Sequence, residues 1–153
     1  MTEKPSDSIL KLAREAIDLA MKCVATGETL LPFIITEGSP GKLISLAAES
    51  SDEMFIMAQK QVQDFMADTK AFAFAYDGFI GAGDERSDCI YIEAAESGSA
   101  TVFLFAQRYS PKKLFRPPRA VGNWVCLEKN EPKLKWRAEP SAGGNAAAPR
   151  ASA

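Results

Sequence analysis

Six carboxylates crowd into the twenty residues from 77 to 96: Asp77, Asp84, Glu85, Asp88, Glu93 and Glu96. Acids projecting from neighbouring strands can hold Mg²⁺ or Ca²⁺, hard cations that take oxygen ligands. A metal held this way would act on a phosphate-containing substrate, with Asp77, Asp88 and Glu93 as the best ligands. The spacing argues against it. Asp88 and Glu93 lie an odd number of residues apart, so a regular strand sends them to opposite faces. Glu93 is followed by Ala94 and Ala95, so the lysine of a Glu-x-Lys pair, which would activate water or steady a phosphate, is missing. These acids read first as turn-forming and solvating groups.

A second constellation is basic. Arg108, Lys112, Lys113, Arg116 and Arg119 fall within twelve residues and are interleaved with Tyr109 and Phe115. Cations neutralise phosphates and aromatic rings stack on bases, which is how single-stranded nucleic acid is often held. Against that stand a sequence pI near 5.3 and no recognisable nucleic-acid motif. An acidic protein partner, or the chain's own acidic surface, suits the segment better. Residues 1–100 carry seventeen acidic and eight basic side chains, whereas residues 101–153 carry three and ten. Such asymmetry marks either an acidic body with a basic docking edge or two ends that attract each other.

The chain contains no histidine. That removes Ser-His-Asp and Cys-His catalysis, imidazole metal ligands and the usual acid–base group of neutral pH. Cys23, Cys89 and Cys126 are far apart, with no C-x-x-C pair for zinc or redox chemistry, and read as buried thiols in a reducing compartment. The run from Gly78 to Gly83 holds a G-x-G, but Asp84 and Glu85 follow where a phosphate loop would open a helix. A glycine-lined hairpin or bulge is expected. The sequence implies no cofactor and leans away from an enzyme.

Placing these groups requires elements. A chain of 153 residues, 46% hydrophobic and 25% charged, suits one domain with a real core. Ser6-Asp7-Ser8 offers capping oxygens for a first helix whose apolar stripe is Ile9, Ala13, Ala16, Ile17, Ala20 and Val24, with Gly27 as its stop. Residues 30–36 read as a strand that Pro32 places at an edge or a start. A turn at Gly38-Ser39-Pro40-Gly41 returns residues 42–47 as a hairpin arm. Ser50 and Glu53 form a capping box for a second helix that runs to about residue 68. In residues 71–76 phenylalanine and tyrosine alternate with alanine, the pattern of a central strand that a helix approaches closely on its alanine side. A break over residues 81–87 precedes strands at 88–94 and 101–109, which short turns pair antiparallel. Prolines make residues 110–120 irregular, and 121–127 adds a sixth, edge strand. Phe79, Trp124 and Trp136, clustered at an edge, would form an interface hot spot.

The expected fold is therefore α+β in the order α-β-β-α-β-β-β: a five-stranded antiparallel sheet, with that extra edge strand, and helices packed on it. Residues 1–137 form the domain. Residues 138–153, rich in Ala, Gly, Pro and Ser, lack the apolar side chains that repay ordering and read as a disordered tail.

The element order resembles profilin-like folds, including the roadblock and longin families, and fold likeness alone licenses no function. Leu31-Pro32-Phe33, Ala75-Tyr76-Asp77-Gly78 and Phe105-Ala106-Gln107-Arg108-Tyr109 resemble segments of small bacterial proteins, a likeness that implies no known activity. The N-terminus lacks an apolar signal core and no stretch reaches the ~20 residues of a membrane span, so a cytoplasmic protein away from membranes is expected. The favoured reading is a small non-enzymatic interaction module in a bacterial cell: an adaptor, chaperone or immunity-type partner. It would bind another protein or itself, as a homodimer through a sheet edge or a helix face. A carboxylate–metal enzyme and a nucleic-acid binder through residues 108–119 are the alternatives.

Overall fold

The computed structural model describes residues 4–37, 41–65, 69–81, 83–97, 99, 101–111 and 118–127. Helix α1 (Asp7–Ala25) is capped by Ser6, whose side chain accepts the Ile9 N–H at 3.2 Å, and Gly27 follows the helix with φ 87°. That positive φ is the conformation in which glycine ends a helix without strain. Strands β1 (Phe33–Glu37) and β2 (Leu43–Ser45) form the first hairpin. Pro32 sits just before β1, where its missing N–H leaves no hole, and its carbonyl accepts the Leu46 N–H at 2.8 Å. Of the two places open to this proline, the strand start is the one adopted, since β1 lies inside the sheet.

Helix α2 (Ser51–Phe65) begins at the expected box, with one change. The Ser50 hydroxyl accepts the Glu53 N–H at 3.1 Å, but the Glu53 carboxylate reaches back to the Glu49 N–H at 2.8 Å, one residue further than expected. Strands β3 (Ala71–Ile80) and β4 (Ser87–Glu96) form a long hairpin closed by Gly81 and a 3-10 turn at Gly83–Glu85. Both strands outrun the expected limits, because each supplies the other's hydrogen bonds well past the rest of the sheet. The glycines serve a turn, as expected of them, with φ 88° at Gly81 and 60° at Gly83. Strand β5 (Phe103–Ser110) follows. Two short strands, β6 (Arg119–Ala120) and β7 (Val125–Cys126), share its outer edge end to end. The edge strand expected over 121–127 is thus confined to two residues, and β6 arises inside the segment expected to be irregular. The tail at 138–153 lies outside the described residues.

All described pairings are antiparallel, and the sheet order is β2-β1-β3-β4-β5-β6, with β7 also on β5. The strand period of two splits the core into halves. Ala71, Ala73 and Ala75 of β3 pack under α1 with Ile90, Ile92 and Phe105. Phe72, Phe74 and Tyr76 pack under α2 with Ile34, Leu46 and Val62. The molecule is therefore helix–sheet–helix in section. Alanines on one side let α1 sit close; aromatic rings on the other fill the wider space beneath α2. Burying each phenylalanine contributes about 1.5–3 kcal/mol.

Candidate functional site

The long β3–β4 hairpin gathers nearly all the candidate chemistry. Its register sets Tyr76 opposite Tyr91 and Asp77 opposite Ile90. Glu93 therefore lies diagonally from Tyr76 on the α2 side of the sheet. The Tyr76 hydroxyl donates to Glu93 Oε2 at 2.6 Å, and Glu93 is wholly buried. Around the tyrosine ring stand Phe55 at 5.1 Å, edge on, Phe74 at 4.9 Å, tilted, and Tyr91 at 5.5 Å, stacked. Burial, and then the charge and hydrogen bond of Glu93, raise the Tyr76 pKa far above the ordinary phenol value. This tyrosine stays protonated and serves as a fixed donor.

The opposite face carries a second pair of the same type. Asp77 points to the α1 side, where its Oδ1 accepts the Tyr109 hydroxyl at 2.9 Å and its own neighbour's Gly78 N–H at 3.0 Å. Desolvation is the chief reason its pKa is raised; both hydrogen bonds pull it down and nearby Asp88 pushes it up. The Tyr109 pKa is also raised, by burial and then by Asp77.

Between these pairs Gly78 has a steric task. A Cβ built there would stand 2.9 Å from Cε2 of Tyr91, whose ring crosses the strand so that its hydroxyl donates to the Phe79 carbonyl at 2.5 Å. Cys89, facing the same side as Tyr91 and wholly buried, has its thiol pushed up to about 12 by burial, against the opposing pull of Arg108. Burial keeps that thiol protonated at neutral pH and so a poor nucleophile.

The metal-ligand triad of the sequence reading is not assembled. Asp77 and Asp88 face the α1 side; Glu93 faces the α2 side and holds Tyr76. The odd spacing of Asp88 and Glu93 has the consequence expected of it. Among the described residues no group of three His, Cys, Asp or Glu side chains could hold an ion. Elsewhere in the acidic run, Glu96 accepts the Ser6 hydroxyl at 2.6 Å, tying the start of α1 to the end of β4.

The basic segment divides. Arg108 and Arg119 are exposed, while Tyr109 is buried on the other face of β5 from Arg108, engaged with Asp77. Lys112, Lys113, Phe115 and Arg116 lie outside the described residues. Gln107, which the sequence reading passed over, is buried; its Nε2 donates to the carbonyls of Arg108, Val121 and Gly122 at 2.7, 3.3 and 3.2 Å and clamps the β6 turn to β5.

The aromatic candidates also part. Trp124 is half-buried, edge on to Phe105 at 5.5 Å and 6.0 Å beneath the Arg14 guanidinium. Trp136 lies outside the described residues. Phe79 is 54% exposed near the tip of the hairpin, with the Arg86 guanidinium 3.7 Å from its ring centroid. Beyond Ala75 on the β1 side and Cys89 on the β5 side, β3 and β4 pair, among the described residues, only with each other, so the Phe79–Arg86 pair rides on a two-stranded ribbon.

The segments Leu31-Pro32-Phe33, Ala75-Tyr76-Asp77-Gly78 and Phe105-Ala106-Gln107-Arg108-Tyr109 meet on this sheet. Phe33 pairs with Ala75, and Tyr109 bonds Asp77. No family model, curated protein or solved structure matches the chain.

Proposed function

We propose that this protein is a small interaction module that binds a protein partner through the tip of the β3–β4 hairpin, in the cytoplasm. The observation that carries this reading is the Phe79–Arg86 pair: an aromatic ring and a guanidinium, pre-stacked and both exposed at the end of a ribbon. Aromatic residues and arginine dominate interface hot spots, because a stacked pair loses little rotamer entropy when a partner desolvates it. The groups that could do chemistry are meanwhile spent on architecture: Glu93 on Tyr76, Asp77 on Tyr109, Cys89 in the core. No described helix is long and apolar enough to cross a membrane.

The test compares wild type with Phe79→Ala/Arg86→Ala as baits in quantitative capture from the native cell. Both chains should unfold at the same denaturant concentration. The double variant should recover at least tenfold less of one specific protein. Equal recovery of every captured protein would reject the hairpin as the binding surface.

A further inference from the structure

We infer that a second copy of this chain pairs with the outer edge of β2, antiparallel, about a two-fold axis at Ile44. This surface lies at the far side of the sheet from β5 and is independent of the hairpin tip. The argument starts from backbone alternation. Thr36 N–H donates to the Lys42 carbonyl at 2.9 Å and Leu46 N–H to the Pro32 carbonyl at 2.8 Å, while Ile34 stands opposite Ile44. Residues 42, 44 and 46 therefore turn their backbone groups toward β1. Leu43 and Ser45, opposite Ile35 and Phe33 in wide pairs, turn theirs outward. Among the described residues nothing pairs with that edge.

Two outward residues flanking one inward residue match themselves under two-fold rotation. With Ile44 on the axis, Leu43 of one copy faces Ser45 of the other, and each exchanges both of its free hydrogen bonds. The two Leu43 side chains, 57% exposed in the single copy, become diagonal neighbours on the α1 side, within reach of each other. The same register sets Lys42 of one copy opposite Leu46 of the other. That is where the chain turns into the acidic start of α2, with Glu49, Asp52 and Glu53 all exposed. A basic residue thus meets an acidic turn twice, once on each side of the axis. An edge that no described residue covers, with an uncharged leucine turned outward beside its centre, is also the kind that natural sheets normally guard or pair.

Sedimentation velocity of the full chain from 1 to 200 µM tests this. Wild type should move from monomer to dimer across the range. Ser45→Pro deletes only an outward N–H, so the β1–β2 bonds stay intact; it should weaken the dimer at least tenfold. Leu43→Lys, which touches no backbone bond, should do the same and stands in if the proline variant fails to fold. Ile44→Cys should give a disulfide-linked dimer under mild oxidation, because wide-pair Cα atoms lie about 4.5 Å apart across an antiparallel pair. Phe79→Ala/Arg86→Ala should leave the dimer unchanged, which separates this inference from the hairpin reading. A monomer at 200 µM overturns the inference, including the case where the Leu43 and Ser45 amides are protected from exchange by the chain's own residues 128–153. So does a dimer indifferent to both edge substitutions.

Discussion

Two tyrosine–carboxylate hydrogen bonds lie one residue apart along β3 and on opposite faces of the sheet. The Tyr76 hydroxyl donates to Glu93 at 2.6 Å on the α2 side; the Tyr109 hydroxyl donates to Asp77 at 2.9 Å on the α1 side. The chemistry is the same, but the surroundings differ. Glu93 is wholly enclosed, whereas the Asp77 side chain is exposed. A carboxylate enclosed in protein depends on its donors, because no water can replace one that is lost. A carboxylate at the rim has water in reserve. The inner pair should therefore hold the fold together, and the outer pair should only trim it.

Paired substitutions put that contrast at risk most severely. Tyr76→Phe keeps the ring against Phe55, Phe74 and Tyr91 but takes the hydroxyl from Glu93, and should cost about 2–3 kcal/mol in urea unfolding. Tyr109→Phe makes the identical chemical change on the other face and should cost about 0.5–1 kcal/mol. Equal losses, or a larger loss at Tyr109, would show that burial does not set the difference. Each midpoint should move with the denaturant slope unchanged, as expected when only the native state is affected.

The next effect lies between the pairs. Gly78→Ala drives a methyl into the Tyr91 ring, whose Cε2 and Cδ2 stand 2.9 and 3.1 Å from the built Cβ, and should cost about 1–2 kcal/mol. Tyr91→Ala opens that space, so the double variant should lose less than the two singles added together. A simple sum in a double-mutant cycle would mean that the ring is not what excludes a side chain at 78.

Much of this arrangement was legible in residue types, and the remainder depended on register. The alternation of phenylalanine with alanine over 71–76 announces a central strand with a close helix on one side and a bulky layer on the other, and both are present. The Ser50 cap, the Gly27 stop and the split of Asp88 from Glu93 follow from equally local rules. What could not be read is which side chains meet across the hairpin. The sequence suggests a seven-residue break over 81–87, whereas Ser87 already pairs with Ile80. One residue of error in a turn inverts every cross-strand partnership, since side chains alternate with period two. The Tyr76–Glu93 bond was hidden by that single residue. The division of Arg108 from Tyr109 needed no such knowledge: adjacent residues on a strand face opposite ways, and counting the segment as one cluster overlooked it.

The smallest effect tests the outer pair through pH. Desolvation raises the Asp77 pKa above the ordinary carboxyl value, with Asp88 adding to the push. Below that ordinary value the folded and unfolded chains both hold the proton. Between it and the raised value the folded chain holds the proton more tightly, so this group's contribution to stability falls as pH rises through the window and stays low above it. Asp77→Asn keeps an oxygen for the Tyr109 hydroxyl but cannot ionise. The variant should therefore gain on wild type as pH climbs from about 3.5 to 6, by no more than about 1 kcal/mol once solvent screening of so exposed a group is allowed for. Thermal unfolding of both chains across that range measures the gain. A difference that shrinks as pH rises would mean that Tyr109 and Gly78 outweigh burial, and that the rim carboxylate is held as firmly as the enclosed one.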